Sequence, residues 1–109
     1  MDTVSFEDFK KLDLVIGTIL SAEEIAGADK LWKLTVDLGE EQKTVCAGVK
    51  EHYTADFLIG KQVPIVANLM PRMLKGVESQ GMVLMAVGED EKPVLLTPEQ
   101  IVPRGTIVR

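Results

Sequence analysis

At 109 residues, with no run of about 18 apolar residues, the chain is long enough for one domain and offers no helical membrane span. Seventeen acidic against twelve basic residues leave a net charge of −5, which excludes a protein that coats nucleic acid indiscriminately. A single cysteine, Cys46, excludes an intramolecular disulfide, and with one histidine it falls short of a zinc tetrad, so no metal and no cofactor is expected.

A chain of this size buries roughly 60–65% of its extended surface and folds without a staple. The segment Met1–Phe9 lacks the basic start and apolar core of a signal peptide, so the expectation is a reducing, cytoplasmic setting. From Lys30 to Gly76 seven basic residues face five acidic ones, a balance of +2, while the remainder carries −7. Such an asymmetry favours an anion-binding face in the middle of the chain.

Ser5 followed three places on by Asp8 reads as a capped helix start, and a short helix is expected over residues 5–11. Strand one follows at Leu14–Leu20, apolar on both faces, with Gly17 a candidate bulge or barrel bend. Trp32, Leu34, Val36 and Leu38 alternate with Lys33, Thr35 and Asp37, the pattern of a half-buried antiparallel strand. Gly39-Glu40-Glu41 turns that strand into a third, Lys43–Ala47.

Residues 48–60 hold only a short helix. Gln62–Ala67 is a fourth strand whose Pro64 suggests an edge or a bulge. Met82–Val87 reads as a fully buried fifth strand, Gly88–Lys92 as a charged turn, and Pro93–Leu96 and Gly105–Val108 as two short apolar pieces. Five strands with a small helix between the third and fourth give the chain order of an OB-fold, an all-β five-stranded Greek-key barrel. The expected division is one domain, with a helix at 5–11, a barrel over 12–88 and a C-terminal extension over 89–109. The apolar content of the two ends exceeds what one barrel covers, which suggests a packed extension or a subunit interface.

Between strands four and five, Asn68–Met82 packs polar donors, two cations and loop-forming residues. Asn68, Ser79 and Gln80 offer directional hydrogen bonds, Arg72 and Lys75 offer charge, and Pro71, Gly76 and Gly81 fix turns. This is the composition of a recognition loop suited to phosphate.

Other signals have plainer readings. Trp32 shares parity with Leu34 and Val36, so core packing is favoured over stacking on a base. Cys46 and His52 invite a nucleophile hypothesis, but no third group is placed to orient the histidine, and no enzyme is expected. Glu23-Glu24 and Glu40-Glu41 read as solvated turns. Met70, Met73, Met82 and Met85 divide between core and an adaptable surface.

A set of motifs in register covers nearly the whole chain: Phe9-Lys10-Lys11-Leu12-Asp13-Leu14, Ala28-Asp29-Lys30-Leu31, Val36-Asp37-Leu38-Gly39, Ala47-Gly48-Val49, Leu58-Ile59-Gly60-Lys61, Asn68-Leu69, Pro71-Arg72, Gly76-Val77 and Ser79-Gln80-Gly81-Met82. By these the chain resembles the tRNA-binding domain appended to methionyl-tRNA synthetases, which also occurs as free-standing tRNA-binding proteins. The resemblance implies a non-catalytic OB-fold, often a homodimer, that docks the outer corner of tRNA by shape and backbone and raises a synthetase's hold on it. Its partners would be tRNA and a methionyl-tRNA synthetase catalytic core, in the same chain or as a separate subunit. It assigns contact roles to Lys30, Asn68, Arg72, Ser79, Gln80 and Met82, with Lys33, Lys43 and Lys75 as neighbouring phosphate partners.

Three departures stand out: Ala26-Gly27 where many members carry His-Pro, Met70 where lysine is frequent, and Glu78 inside the loop. The alternative is a dimeric, chaperone-like relative in the same superfamily that binds peptides in an apolar groove.

Overall fold

A computed structural model describes residues 1–109. Helix α1, Phe6–Phe9, is shorter than the sequence suggests, a single turn capped by Ser5, whose Oγ accepts the Asp8 N–H at 3.1 Å. The strands are β1 Leu14–Ile25, β2 Ala28–Asp37, β3 Gln42–Ala47, β4 Gln62–Val66, β5 Arg72–Leu74, β6 Val77–Ser79, β7 Met82–Val83, β8 Met85–Val87 and β9 Pro93–Leu95. Helix α2, Ala55–Leu58, lies between β3 and β4.

Five strands form one antiparallel sheet in the order β3-β2-β1-β4-β7, with β5-β6 and β8-β9 as separate hairpins. No backbone ladder joins β3 to β7, so the structure is an open OB-like sheet rather than a closed barrel. Its core holds Ile19, Leu34, Val36, Val45, Leu58, Val63 and Ile65 fully buried, each burial stabilising by about 1.5–3 kcal/mol. Leu58 comes from α2, which Thr54 caps through a 3.2 Å bond from the Phe57 N–H. Trp32 belongs to this core, and its indole Nε1 donates to the Tyr53 carbonyl at 2.8 Å.

Strand β1 is apolar on both faces because both are covered. Val15 and Ile19 face the core, while Ile16, with Pro64, lines a cleft of about 350 Å³ shared with Leu96, Pro98 and Val102 of the C-terminal extension. The extension also returns to β1: Ile16 N–H donates to Thr106, and the Val108 N–H donates to Leu14, both at 2.8 Å. A Cβ on Gly17 would stand 2.7 Å from Leu38 Cδ2 and closer still to Val36 Cγ1, so glycine is what lets β1 bend against β2.

Several expectations are corrected. Strands β1 and β2 run on to a turn at Ile25–Ala28, so Glu23 and Glu24 lie in a strand opposite Lys33 and Trp32 instead of in a solvated turn. Pro64 lies inside the sheet, between β1 and β7, not at an edge. It is tolerated there because its neighbour is only two residues long and breaks at Leu84, whose N–H reaches the Pro64 carbonyl at 3.0 Å. That same break divides Met82–Val87, which is half-exposed rather than fully buried, and β8 turns off to pair with β9.

Candidate nucleic-acid interface

The segment Asn68–Met82 is built as a hairpin. Arg72 pairs with Ser79, Met73 with Glu78 and Leu74 with Val77, and the turn between them has Lys75 at φ 52 and Gly76 at φ 82. Two successive positive φ values match the right-handed twist of the strands, as in a type I′ turn. Within an OB-like sheet this hairpin occupies the connection between the fourth and fifth barrel strands, next to the face of the second and third.

Ser79 and Gln80 fasten the hairpin to β3. Ser79 is buried; its Oγ accepts the Cys46 N–H at 3.0 Å and its hydroxyl donates to the Gly81 carbonyl at 3.3 Å. Gln80 acts from both sides, its N–H donating to the Thr44 carbonyl at 2.8 Å and its Oε1 accepting the Thr44 N–H at 2.9 Å. These bonds bridge the seam that the sheet leaves open between β3 and β7.

Asn68 is also engaged within the protein. Its Oδ1 accepts the Asp13 N–H at 2.8 Å and its Nδ2 donates to the Lys11 carbonyl at 2.6 Å, which ties the start of the hairpin segment to the residues leading into β1. Lys43 Nζ reaches the Ala67 carbonyl at 2.7 Å and keeps two further donors. Of the nine residues singled out from the sequence, Asn68, Ser79, Gln80 and Lys43 therefore hold the hairpin and the strand ends in place.

The other five present themselves to solvent. Lys30, Arg72 and Lys75 are exposed, Lys33 is half-buried on β2 opposite Cys46, and Met82 is 46% exposed on β7. Ion pairs in this chain are limited to Lys10–Glu7, Lys11–Asp8, Lys50–Glu24 and Arg104–Asp37. Lys30, Lys33, Arg72 and Lys75 thus form no ion pair, although Glu23 lies across the ladder from Lys33. Register aligns two of them: Lys33 pairs with Cys46, Cys46 bonds to Ser79, and Ser79 pairs with Arg72. Lys33 and Arg72 are therefore the two ends of one chain of contacts that runs from β2 through β3 to the hairpin.

Cys46 lies in the middle of these contacts. Burial pushes its thiol above the ordinary value, outweighing the bond to Ser79 and the nearby charge of Lys33. An activated nucleophile needs the opposite shift. His52 is exposed in the turn after β3. Of the four fasteners only Ser79 is marked by strand parity: Val77 and Ser79 point one way, Glu78 the other.

The family model described as "Putative tRNA binding domain" matches residues 14–107. A methionine-tRNA ligase of Methanococcus aeolicus is 48% identical over 108 residues, covering 99% of this chain and 16% of the relative, so the chain spans about one sixth of that protein. Among solved structures, a MetRS related protein from Pyrococcus horikoshii is similar at TM-score 0.94 and 37% identity, with 100% of both chains covered. The chaperone CsaA from Bacillus anthracis str. Ames is similar at TM-score 0.90 and 37% identity, with 99% of this chain and 100% of that one covered.

Proposed function

The chain belongs to this tRNA-binding domain family, and we propose that it is a non-catalytic module that docks the corner of tRNA and raises the affinity of a methionyl-tRNA synthetase for it, as a domain or a separate subunit in the cytoplasm. The observation that carries this reading is that four cations on β2 and the β5–β6 hairpin, Lys30, Lys33, Arg72 and Lys75, form no ion pair within the chain. A folded RNA corner offers phosphates and 2′-hydroxyls on a shaped surface, which a fixed array of such cations matches. Met82, 46% exposed on β7, would add an apolar contact. Lys43, Asn68, Ser79 and Gln80 set the shape, with the spare Lys43 donors available to phosphate.

A homodimer fits the same reading. Phe6, Phe9, Leu12, Ile107 and Val108 leave a cleft of about 400 Å³ at the junction of α1 and the C-terminal residues, with Phe6 70% and Ile107 65% exposed. A second copy would cover this apolar face.

The test is the double variant Arg72→Ala with Lys75→Ala. If each cation meets a phosphate, the variant binds tRNA more weakly, and the log–log dependence on salt becomes shallower by about 1.5, at 0.7–0.9 per contact. Unchanged binding by a folded variant would remove the hairpin from the interface.

The likeness to CsaA favours a second reading, a chaperone-like peptide binder. Its structural counterpart is a cleft of about 320 Å³ lined by Cys46, Val49, Met82, Leu84, Met85 and Pro93. Binding of unfolded peptides with little salt dependence would support that reading over the first.

A further inference from the structure

Glu78 is the one carboxylate in the β5–β6 hairpin, and its setting is unusual for an acid on a phosphate-binding surface. It pairs directly with Met73, on the face turned away from the buried Ser79, and Met73 is 65% exposed. Arg72 and Lys75 share the hairpin, yet neither forms an ion pair with it. Its partner is Gln80 Nε2, at a long 3.4 Å, and Gln80 is itself anchored to Thr44 by two bonds. The carboxylate is thus exposed, lightly held and unneutralised.

For a surface that recognises phosphates alone, this charge only repels. A carboxylate accepts hydrogen bonds and donates none, and phosphates offer it nothing; its donors in RNA are 2′-hydroxyls and base edges, and only a base edge with two adjacent donors fills both carboxylate oxygens at once. An unstacked base also needs an apolar plate for its face, and the Met73 thioether lies directly across the hairpin.

We propose that Glu78 and Met73 together form a subsite for an unpaired guanosine, the base lying on Met73 and its N1–H and N2–H donating to the two Glu78 carboxylate oxygens, while Lys75, at the tip of the hairpin, takes a flanking phosphate. Guanine is the base with two adjacent donors on its Watson–Crick edge. Adenine and cytosine each present an amino group beside an acceptor, and uracil a single imino donor between acceptors. Those acceptors would face the carboxylate and be repelled. The subsite rests on the reading of the hairpin as an RNA contact and adds base selectivity to it.

The experiment uses the whole chain, folded tRNA, and stem-loop RNAs whose uridine loop carries one guanosine, inosine or adenosine. Inosine keeps N1–H and loses the N2 amino group. The guanosine loop is expected to bind about tenfold more tightly than the inosine or adenosine loops. Glu78→Gln should bring these affinities together with no change in melting temperature, and Met73→Ala should weaken the guanosine loop most. Equal binding of all loops by the wild-type chain, with tRNA still preferred over duplex RNA, overturns the subsite and leaves the tRNA reading standing. An equal gain in affinity for every loop on Glu78→Gln also overturns it, since that is relief of repulsion alone. No binding of tRNA at low salt overturns both.

Discussion

Ser79 Oγ accepts the backbone N–H of Cys46 at 3.0 Å, across 33 residues of sequence, and so fastens the β5–β6 hairpin to the free edge of β3. With the Thr44–Gln80 bonds it bridges the β3–β7 seam where no backbone ladder runs. Ser79→Ala leaves the Cys46 N–H without a partner in a half-buried place, at a cost of about 1–3 kcal/mol. Thermal unfolding should therefore start at least 4 °C or so lower. An unchanged melting temperature would show that the seam is held elsewhere.

Asn68 bridges the Asp13 N–H and the Lys11 carbonyl. Asn68→Ala removes both bonds at an exposed site, so the loss of global stability should be small, on the order of 1 kcal/mol. The local effect is larger. Amide exchange at Asp13 should accelerate by about tenfold, while the Ala67 N–H, bonded to the Asp13 carbonyl at 2.8 Å, should follow more weakly. Equal protection in the variant would contradict the clamp.

Gly17→Ala places a methyl against Val36 and Leu38 on the core side of β1. Overpacking of this kind costs about 1–3 kcal/mol, and the neighbours are strand residues with little room to give. Denaturant unfolding should show a lower midpoint with an unchanged slope. A neutral substitution would mean that β1 can shift away from β2.

Burial holds the Cys46 thiol above its ordinary value of 9.0. Alkylation should therefore be slow at neutral pH and accelerate only at alkaline pH, and Lys33→Gln should move that rise further up by removing a charge that favours the thiolate. Because the folded-state value is raised, the neutral thiol's contribution to stability is complete below the unfolded value and is lost as pH rises through the folded one. Rapid alkylation at neutral pH would contradict the burial of this thiol.

Local pattern made part of this structure legible from sequence. The alternation from Trp32 to Leu38 marks β2, Ser5 and Asp8 mark a helix start, and the small helix after β3 completes the OB order. The hairpin stayed hidden because Lys75, a side-chain residue, occupies a positive-φ position where Asn or Gly is the usual signal. Pro64 and the break at Leu84 explain each other only once β4 and β7 lie side by side. Distance in sequence concealed the rest. Ser79, Gln80 and Asn68 carry the residue types of a binding loop, and nothing local shows that their partners are Cys46, Thr44, Asp13 and Lys11. The cations, which need no partner within the chain, were the most legible part of the candidate interface.

Lys30, Lys33, Arg72 and Lys75 are proposed to form a surface for the corner of folded tRNA. Its most direct test is binding of labelled, folded tRNA across a salt series, with an RNA hairpin of equal charge as competitor. Four to six phosphate contacts predict a log–log slope of roughly −3 to −5 and a clear preference for tRNA over the hairpin. A slope near zero, or no preference for tRNA at low salt, would contradict it.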